Sequence, residues 1–320
     1  MNDQDILVSV IVLTYNHEKY IRQALDSILM QRVGFQYEIL VGDDASTDST
    51  QEILKEYDRN YPGKFRLFLR ENNLGPTKNS YELLVSAKGD YLATCEGDDY
   101  WLDADKLQKQ VNFMRAHDEF VACFHDCLLI GEDGQALRKQ KISWISEKQV
   151  FTIKDFKGYL LPGQPSTMLR RNLYKDGVVD AAFFRDASAF IGDRTTIVSY
   201  LLHGSMFHMK AVLSCYRIKS ENGVTKALYS GKAESLARDY SYTKKLEEYC
   251  CAQGMKADFR YHIQDLFVSA FYYAAFRKSE AAGNLLRLIV RNEDGVWRFF
   301  INLPIGMAKK VFRRFIFADY

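Results

Sequence analysis

Ile6-Leu-Val-Ser-Val-Ile-Val-Leu-Thr14 is a short, unbroken apolar run rich in β-branched residues. Such a run reads as a strand buried on both faces, as in the middle of a parallel sheet. Working outward, Tyr20, Ile21, Ala24, Leu25, Ile28 and Leu29 fall at helical spacing, and Gly34 follows them. Residues 37–41 form a second apolar strand, and Ser46 to Thr50 supply N-cap chemistry for a helix carrying Ile53, Leu54 and Tyr57. Strand 65–69, helix 78–87 and strand 90–95 complete the alternation β-α-β-α-β-α-β. Strands alternating with single helices predict an α/β unit with a parallel sheet and right-handed crossovers. Ligands of such sheets bind outside the carboxyl ends of the strands.

The residues that follow the strands therefore decide the chemistry. They are Thr14-Tyr15-Asn16, then Gly42-Asp-Asp-Ala-Ser-Thr-Asp48, then Glu96-Gly-Asp-Asp-Tyr-Trp101. Two acidic clusters on one sheet edge repel each other unless something neutralises them. A divalent cation shared between carboxylates and substrate phosphates does so. Neither GxGxxG nor GxxxxGK[ST] follows the first strand, so no glycine-rich backbone cradle is available for phosphate. The pattern points to a nucleoside diphosphate whose charge a cation balances. Each cluster also has a plain structural use, Asp43 to Ser46 as a turn and Asp98-Asp99 ahead of a helix, but both lie on the same edge.

Composition narrows the class. The chain has 320 residues, 47% apolar and 26% charged, enough for a large core and too apolar for disorder. A net charge of +2 gives no general attraction to nucleic acid, and none is expected as a partner. The cysteines at 95, 123, 127, 215, 250 and 251 form no CxxC pair, and read as reduced thiols, mostly core. The acidic start Met1-Asn-Asp-Gln-Asp5 does not look like a signal peptide, and no apolar run is long enough to span a bilayer. A cytoplasmic protein is expected.

Beyond residue 104 the alternation loosens. Helix 104–117, strand 120–130, a hairpin turn at Gly131-Glu-Asp-Gly134 and a strand–helix pair over 149–160 are expected. Residues 162–175 read as irregular, 193–203 as helix, and 206–216 as two short strands. Residues 232–291 read as mainly helical, with 266–276 a buried helix, and 305–317 as a last helix.

Val8-Ser-Val-Ile-Val-Leu-Thr-Tyr-Asn16, Val41-Gly-Asp-Asp-Ala-Ser-Thr-Asp48 and Glu96-Gly-Asp-Asp-Tyr-Trp101 together resemble the family 2 glycosyltransferases with the GT-A fold. Asn73-Leu-Gly75 with Lys78-Asn79, Ala87-Lys-Gly-Asp-Tyr-Leu92, Ile191-Gly-Asp-Arg194 and Tyr216-Arg-Ile-Lys-Ser220 are similar to further landmarks, so the likeness runs over about residues 6–220. The resemblance implies a Rossmann-like, mostly parallel sheet flanked by helices, with a helical C-terminal extension. It implies a transferase domain over 1–225, with a nucleotide-sugar half at 1–103 and an acceptor half at 104–225, followed by a helical region at 226–320.

It also implies roles. Thr14, Tyr15 and Asn16 would line the nucleotide pocket, and Asp44 would accept from the base. Asp98 would contact ribose or metal, Asp99 would ligate Mg²⁺ or Mn²⁺, and Asp193 would be the general base of an inverting reaction. Asp193 also suits the N-cap of the helix that follows, and the two uses are compatible. Glu96 replaces the first Asp of the family's acidic triplet, and no Gln-x-x-Arg-Trp sequence marks a processive synthase. A non-processive enzyme taking a UDP-sugar and a glycan or lipid-linked acceptor is expected, in cell-surface polysaccharide synthesis. The alternatives are a nucleotidyltransferase, which usually carries a glycine-rich phosphate loop, and a catalytically idle nucleotide-sugar scaffold.

Residues 305–317 leave two readings open. Ile305, Ala308, Val311, Phe312, Phe315 and Ile316 share one arc of a helical wheel, and Lys309, Lys310, Arg313 and Arg314 share the other. That pattern suits the anionic inner face of a membrane, and suits equally a docking helix with a solvated outer side.

Overall fold

A computed structural model describes residues 6–142, 145–189, 192–219, 233–255, 257–277 and 279–293. The expected helix at 305–317 lies outside the described residues.

The alternation read from the sequence is present. Strands β1 (Ile6–Thr14), β2 (Gln36–Asp43), β3 (Phe65–Leu69) and β4 (Tyr91–Glu96) enclose helices α1 (Ile21–Leu29), α2 (Thr50–Asn60) and α3 (Pro76–Ser86). β1 pairs in parallel with both β2 and β4, and β2 with β3. This central position explains the apolar run: Val8, Val10 and Val12 are sealed on one face, Ser9 and Ile11 on the other. On α1, Ile21, Ala24, Leu25 and Ile28 are fully buried, the i, i+3, i+4, i+7 stripe of a helix lying on a sheet. Truncating Leu25 to Ala would cost about 2–5 kcal/mol.

The next elements are β5 (Tyr100–Trp101), α4 (Lys106–Ala116), β6 (Phe120–Ile130), β7 (Val150–Phe151), β8 (Leu169–Arg171), α5 (Ala181–Ala187), α6 (Asp193–Leu201) and β9 (Ser205–Arg217). The strand order is β3-β2-β1-β4-β8-β6-β9-β5, with β7 on β9. The sheet is mostly parallel through β4 and between β6 and β9, while β8, β5 and β7 run antiparallel to their neighbours.

Three features differ from the sequence reading. The irregular stretch 162–175 contains β8, whose Arg170 and Arg171 hide it from an apolar pattern although it lies between β4 and β6. The two short strands at 206–216 are one strand, with register shifts on either side of Asp126 of β6. A bulge absorbs residues that a sequence pattern takes for a turn. After β7 no helix forms before 160, because Lys157 (φ 52°) and Gly158 (φ 89°) are consecutive left-handed residues. The N-cap chemistry expected of Ser46 to Thr50 is present, with Asp48 Oδ1 accepting from Thr50 N and Oγ1.

The turn after β6 closes as expected, with Gly131 N donating to Gln135 O and Ile130 bridging Ala136. All six cysteines are free thiols, four of them buried.

The backbone forms two compact units. One takes residues up to Asp155 with Leu160–Ile218; the other takes Phe156–Tyr159 and the chain from Lys219. In the second unit, helices Ala233–Ala252, Arg260–Arg277 and Glu280–Asn292 bury Leu246, Ile263, Phe267 and Ile289 between them. His262 pairs with Asp239 at 3.2 Å, and Lys244 with Glu293 at 3.1 Å.

Candidate active site

The parallel register brings the three post-strand segments together. Thr14 lies opposite Asp43 across β1 and β2, and Leu13 opposite Glu96 across β1 and β4. Two non-glycine residues here have positive φ, Asn16 at 55° and Ala45 at 62°, a conformation that costs energy and is kept where surrounding contacts over-determine it.

Those contacts stitch the β1 and β2 loops together. Asn16 N donates to Ser46 Oγ (2.8 Å), and Asn16 Oδ1 accepts from Thr47 N (2.8 Å). His17 N donates to Thr50 Oγ1 (2.9 Å), and Glu18 N to Asp48 Oδ2 (3.0 Å). The side chain of Asn16 is thus committed to shaping the loop. Tyr15, 44% exposed, stands out from it.

The acidic pair on β2 is buried and occupied. Asp43 accepts from Ser46 N, Ser46 Oγ and Gln51 Nε2. Asp44 reaches across to the β3–α3 loop, with Oδ1 accepting from Leu74 N (2.7 Å) and Oδ2 from Gly75 N (2.9 Å). Gly75 has φ 84°, and a Cβ there would sit 3.2 Å from the carbonyl of Ala189, so the loop that Asp44 holds lies against the segment leading to α6. A carboxylate has about four acceptor sites, so Asp44 keeps capacity for a further donor.

The pair after β4 divides its labour. Asp99 is 1% exposed, and both oxygens are taken: Ser166 Oγ donates to Oδ2 (2.7 Å), and Arg217 N to Oδ1 (2.9 Å). Burial, then the neighbouring Asp98 charge, push its carboxyl above the usual range, opposed by those two bonds and by Arg217. The expectation that Asp99 ligates a metal meets a carboxylate sealed inside the protein. Asp98 is the outward member, its side chain 21% exposed, with Oδ2 3.7 Å from His17 Nε2. Gly97 permits this approach: a Cβ would lie 2.8 Å from His17 Nδ1 and 2.9 Å from Thr14 Oγ1. That Thr14 hydroxyl is buried and has no hydrogen-bond partner among the described residues. Among the described residues no cluster of three or more His, Cys, Asp or Glu could hold a metal alone. One outward carboxylate beside an orphaned hydroxyl fits a hard cation that takes its remaining ligands from phosphate and water.

Several residues that sequence reasoning passed over build the frame. Ser166 also accepts from Glu96 N (3.0 Å), and its carbonyl accepts from Trp101 Nε1 (3.1 Å). Arg217 donates from Nε to Asp98 O (2.9 Å) and from Nη2 to Gln23 Oε1 (3.0 Å), with its guanidinium 4.4 Å from the Tyr20 ring centroid. Lys106 is fully buried beneath Trp101, its Nζ 4.0 Å from the ring centroid, and burial pushes its pKa down to about 7. Ser166 lay in a stretch read as irregular, while Arg217 lay in the quoted Tyr216–Ser220 segment without a role. His17 directly follows the quoted Asn16.

Asp193 occupies the first turn of α6, with Gly192 as the N-cap residue. It remains open to solvent and accepts no hydrogen bond among the described residues. Protein crowding around the carboxyl raises it to about 6, against the pull of Arg170 and Arg194. A carboxylate that ionises near neutrality is suited to take a proton from a hydroxyl.

Comparison with known proteins agrees with this architecture. Residues 9–177, more than half the chain, match Glycosyl transferase family 2. The chain belongs to that family. The uncharacterized protein Rv1520 of Mycobacterium tuberculosis is 48% identical over 127 residues, 40% of this chain and 37% of that protein. The putative teichuronic acid biosynthesis glycosyltransferase TuaG of Bacillus subtilis is 35% identical over 133 residues, 42% of this chain and 51% of that protein. The matches therefore span between about a third and a half of these relatives. Among solved structures, S. aureus TarS 1–349 in complex with UDP-GlcNAc superposes with a TM-score of 0.56 at 18% identity, covering 93% of this chain and 79% of that one. The mannosyltransferase PcManGT of Pyrobaculum calidifontis, in complex with GDP-Man and Mn²⁺, gives 0.50 at 16% identity, covering 94% and 84%. At such identities the structural likeness speaks for the GT-A type fold. No helix among the described residues is long and apolar enough to cross a membrane.

Proposed function

We propose that the chain is an inverting, non-processive glycosyltransferase that moves a sugar from a nucleoside-diphosphate donor, UDP-linked, to a hydroxyl of a glycan or lipid-linked acceptor in cell-surface polysaccharide synthesis. The observation that supports this reading is the outward carboxylate of Asp98 beside His17 and the Thr14 hydroxyl, at the carboxyl ends of β1 and β4. Asp193 begins α6 just beyond the segment that touches Gly75.

In this reading Thr14, Tyr15 and Asn16 with Asp44 form the base and ribose side of the pocket, and Asp98 is the carboxylate that holds Mn²⁺ or Mg²⁺. Asp99 becomes the anchor that fixes Asp98 from behind. With Asp98 as its protein ligand, a divalent cation would supply positive charge against the departing diphosphate. Asp193 removes the acceptor proton as the new bond forms at the anomeric carbon, and the diphosphate leaves from the opposite face, which inverts the configuration. The domain boundary near 225 belongs to the same reading, as does contact of 305–317 with the inner membrane face. The Mn²⁺ and nucleotide-sugars in the two solved neighbours support a cation and a donor of this kind.

The test is a donor screen that measures released nucleoside diphosphate with and without Mn²⁺, followed by NMR of the product anomer. Metal-dependent release from a UDP-sugar and an inverted product are expected. Retention of configuration, or release indifferent to a chelator, contradicts the reading.

A further inference from the structure

Asp98 is the third residue of a four-residue turn, Glu96 to Asp99, closed by Asp99 N donating to Glu96 O at 2.9 Å. Gly97 sits second, and a glycine loses more freedom than any other residue when its backbone is fixed. The contacts that fix this turn come from distant parts of the chain. On one side Arg217 donates from its backbone N to Asp99 Oδ1 and from Nε to Asp98 O. On the other a single hydroxyl spans the turn. Ser166 Oγ accepts from Glu96 N (3.0 Å) at the first residue and donates to Asp99 Oδ2 (2.7 Å) at the last.

Ser166 is held firmly in its own right. It is the middle residue of one 3₁₀ turn, Pro165–Thr167, and the ring of Pro165 fixes the first φ. Ser166 N donates to Gln164 Oε1 (3.3 Å), and Thr167 O accepts from Gln110 Nε2 (2.9 Å) of α4. The Ser166 carbonyl accepts from Trp101 Nε1 (3.1 Å). Gln110, Gln164, Ser166 and Thr167 are all buried, so bulk water does not compete for the hydroxyl. We propose that Ser166 is a positioning residue for Asp98, its hydroxyl holding both ends of the turn so that the outward carboxylate stays aimed at the cation. The proposal rests on the reading of Asp98 as the carboxylate that holds that cation.

The division between Asp98 and Asp99 gives the hydroxyl its leverage. Asp99 turns inward with both oxygens bonded, so Ser166 and Arg217 set where it lies. Asp98 precedes it by one residue and its side chain is 21% exposed, so the backbone of the turn sets where it points. Removing the hydroxyl takes away the acceptor used by Glu96 N and the donor used by Asp99 Oδ2, in an interior where unmade bonds are costly. The turn then relaxes toward other partners and carries Asp98 with it. In a cation site built on one carboxylate no second protein ligand compensates, so the support behind that carboxylate governs affinity.

The experiment is a double-mutant cycle on cation-dependent binding. UDP is titrated calorimetrically, with MnCl₂ present, into full-length wild type, Ser166→Ala, Asp98→Asn and the double variant. Ser166→Ala should weaken binding about tenfold. Asp98→Asn should weaken it at least as much, and adding Ser166→Ala to it should change affinity by less than about twofold, because the hydroxyl acts through Asp98. In the assay of released UDP, with the donor found in the screen, Ser166→Ala should need about tenfold more Mn²⁺ for half-maximal rate. A weakened fold alone would lower the amount of active enzyme and leave that requirement unchanged. Ile39→Ala, a fully buried truncation on β2 four residues before Asp43, is the control, and should lower the melting temperature while keeping the wild-type Mn²⁺ requirement. If Ser166→Ala does not fold, Ser166→Cys keeps the size but bonds only weakly, and should give the same loss. Wild-type affinity in the Ser166 variant while Asp98→Asn is weakened, or a full second loss in the double variant, overturns the proposal and leaves the reading of Asp98 intact. Wild-type affinity in Asp98→Asn overturns that reading and the proposal with it.

Discussion

The carboxylates after β2 and β4 and the one that opens α6 are handled in opposite ways. Asp43, Asp44 and Asp99 are buried, and every oxygen accepts hydrogen bonds: Asp43 from Ser46 in its own turn and Gln51 of α2, Asp44 from Leu74 and Gly75 of the β3–α3 loop, and Asp99 from Ser166 and Arg217. Asp193 has no such bonds among the described residues, and its pKa is raised to about 6. The first group spends its charge on binding loops together, while the second keeps its charge unsatisfied and available. An acidic residue at a sheet rim is thus no guide to chemistry until its partners are counted. Asp98 stands between the two groups, half-exposed and 3.7 Å from His17. Hydrogen-bonded carboxylates stabilise structure, whereas strained ones mark reactive positions.

This contrast can be broken by substitution. The largest effect belongs to Asp193→Asn, which should lower kcat about a thousandfold or more while metal-dependent donor binding persists. Its melting temperature should equal or exceed wild type at pH 7. A folded-state pKa raised to about 6 means that the native carboxyl resists ionising, so its contribution to stability falls as pH rises from the unfolded value near 3.8 to about 6. The amide removes that loss. Calorimetry at pH 4 and pH 7 reads it, the gain appearing only at the higher pH.

Asp98→Asn should weaken Mn²⁺-dependent UDP binding by at least about tenfold, with stability within about 0.5 kcal/mol of wild type. Asp99→Asn should reverse that balance. Its amide cannot accept from both Ser166 and Arg217 as the carboxylate does, so urea denaturation should show a loss of about 2 kcal/mol. Equal losses of metal affinity without a stability cost would show that Asp99 is a ligand after all.

The smallest effect concerns Lys106 beneath Trp101. Its pKa is depressed to about 7 by burial, so between pH 7 and its unfolded value of 10.5 the unfolded chain holds more protons than the native one, and stability rises with pH. Lys106→Met should flatten this rise between pH 7 and 9, by up to about 2 kcal/mol. Melting curves at both pH values measure it.

Much of the first half was legible because β1, β2 and β4 are buried on both faces and α1 and α2 each show one apolar stripe. Val8 to Val12 and Ile21 to Ile28 announce themselves by type and spacing. The rim residues were legible for a similar reason, since they follow strands whose ends are visible. The second half resisted because its decisive residues are polar and paired through tertiary contacts. β8 centres on a buried arginine, β9 hides a bulge opposite Asp126, and Ser166 works through partners about seventy positions away in the chain. The division of labour within Asp98-Asp99 was equally hidden, because two identical adjacent letters point to opposite sides of one turn.

The most direct test of the account is isothermal titration of UDP into the protein with and without MnCl₂, repeated on Asp98→Asn and Asp193→Asn. The account predicts heat that appears only with manganese, is lost in Asp98→Asn and survives in Asp193→Asn. Heat of equal size without manganese, or no heat in the wild type under either condition, would contradict it.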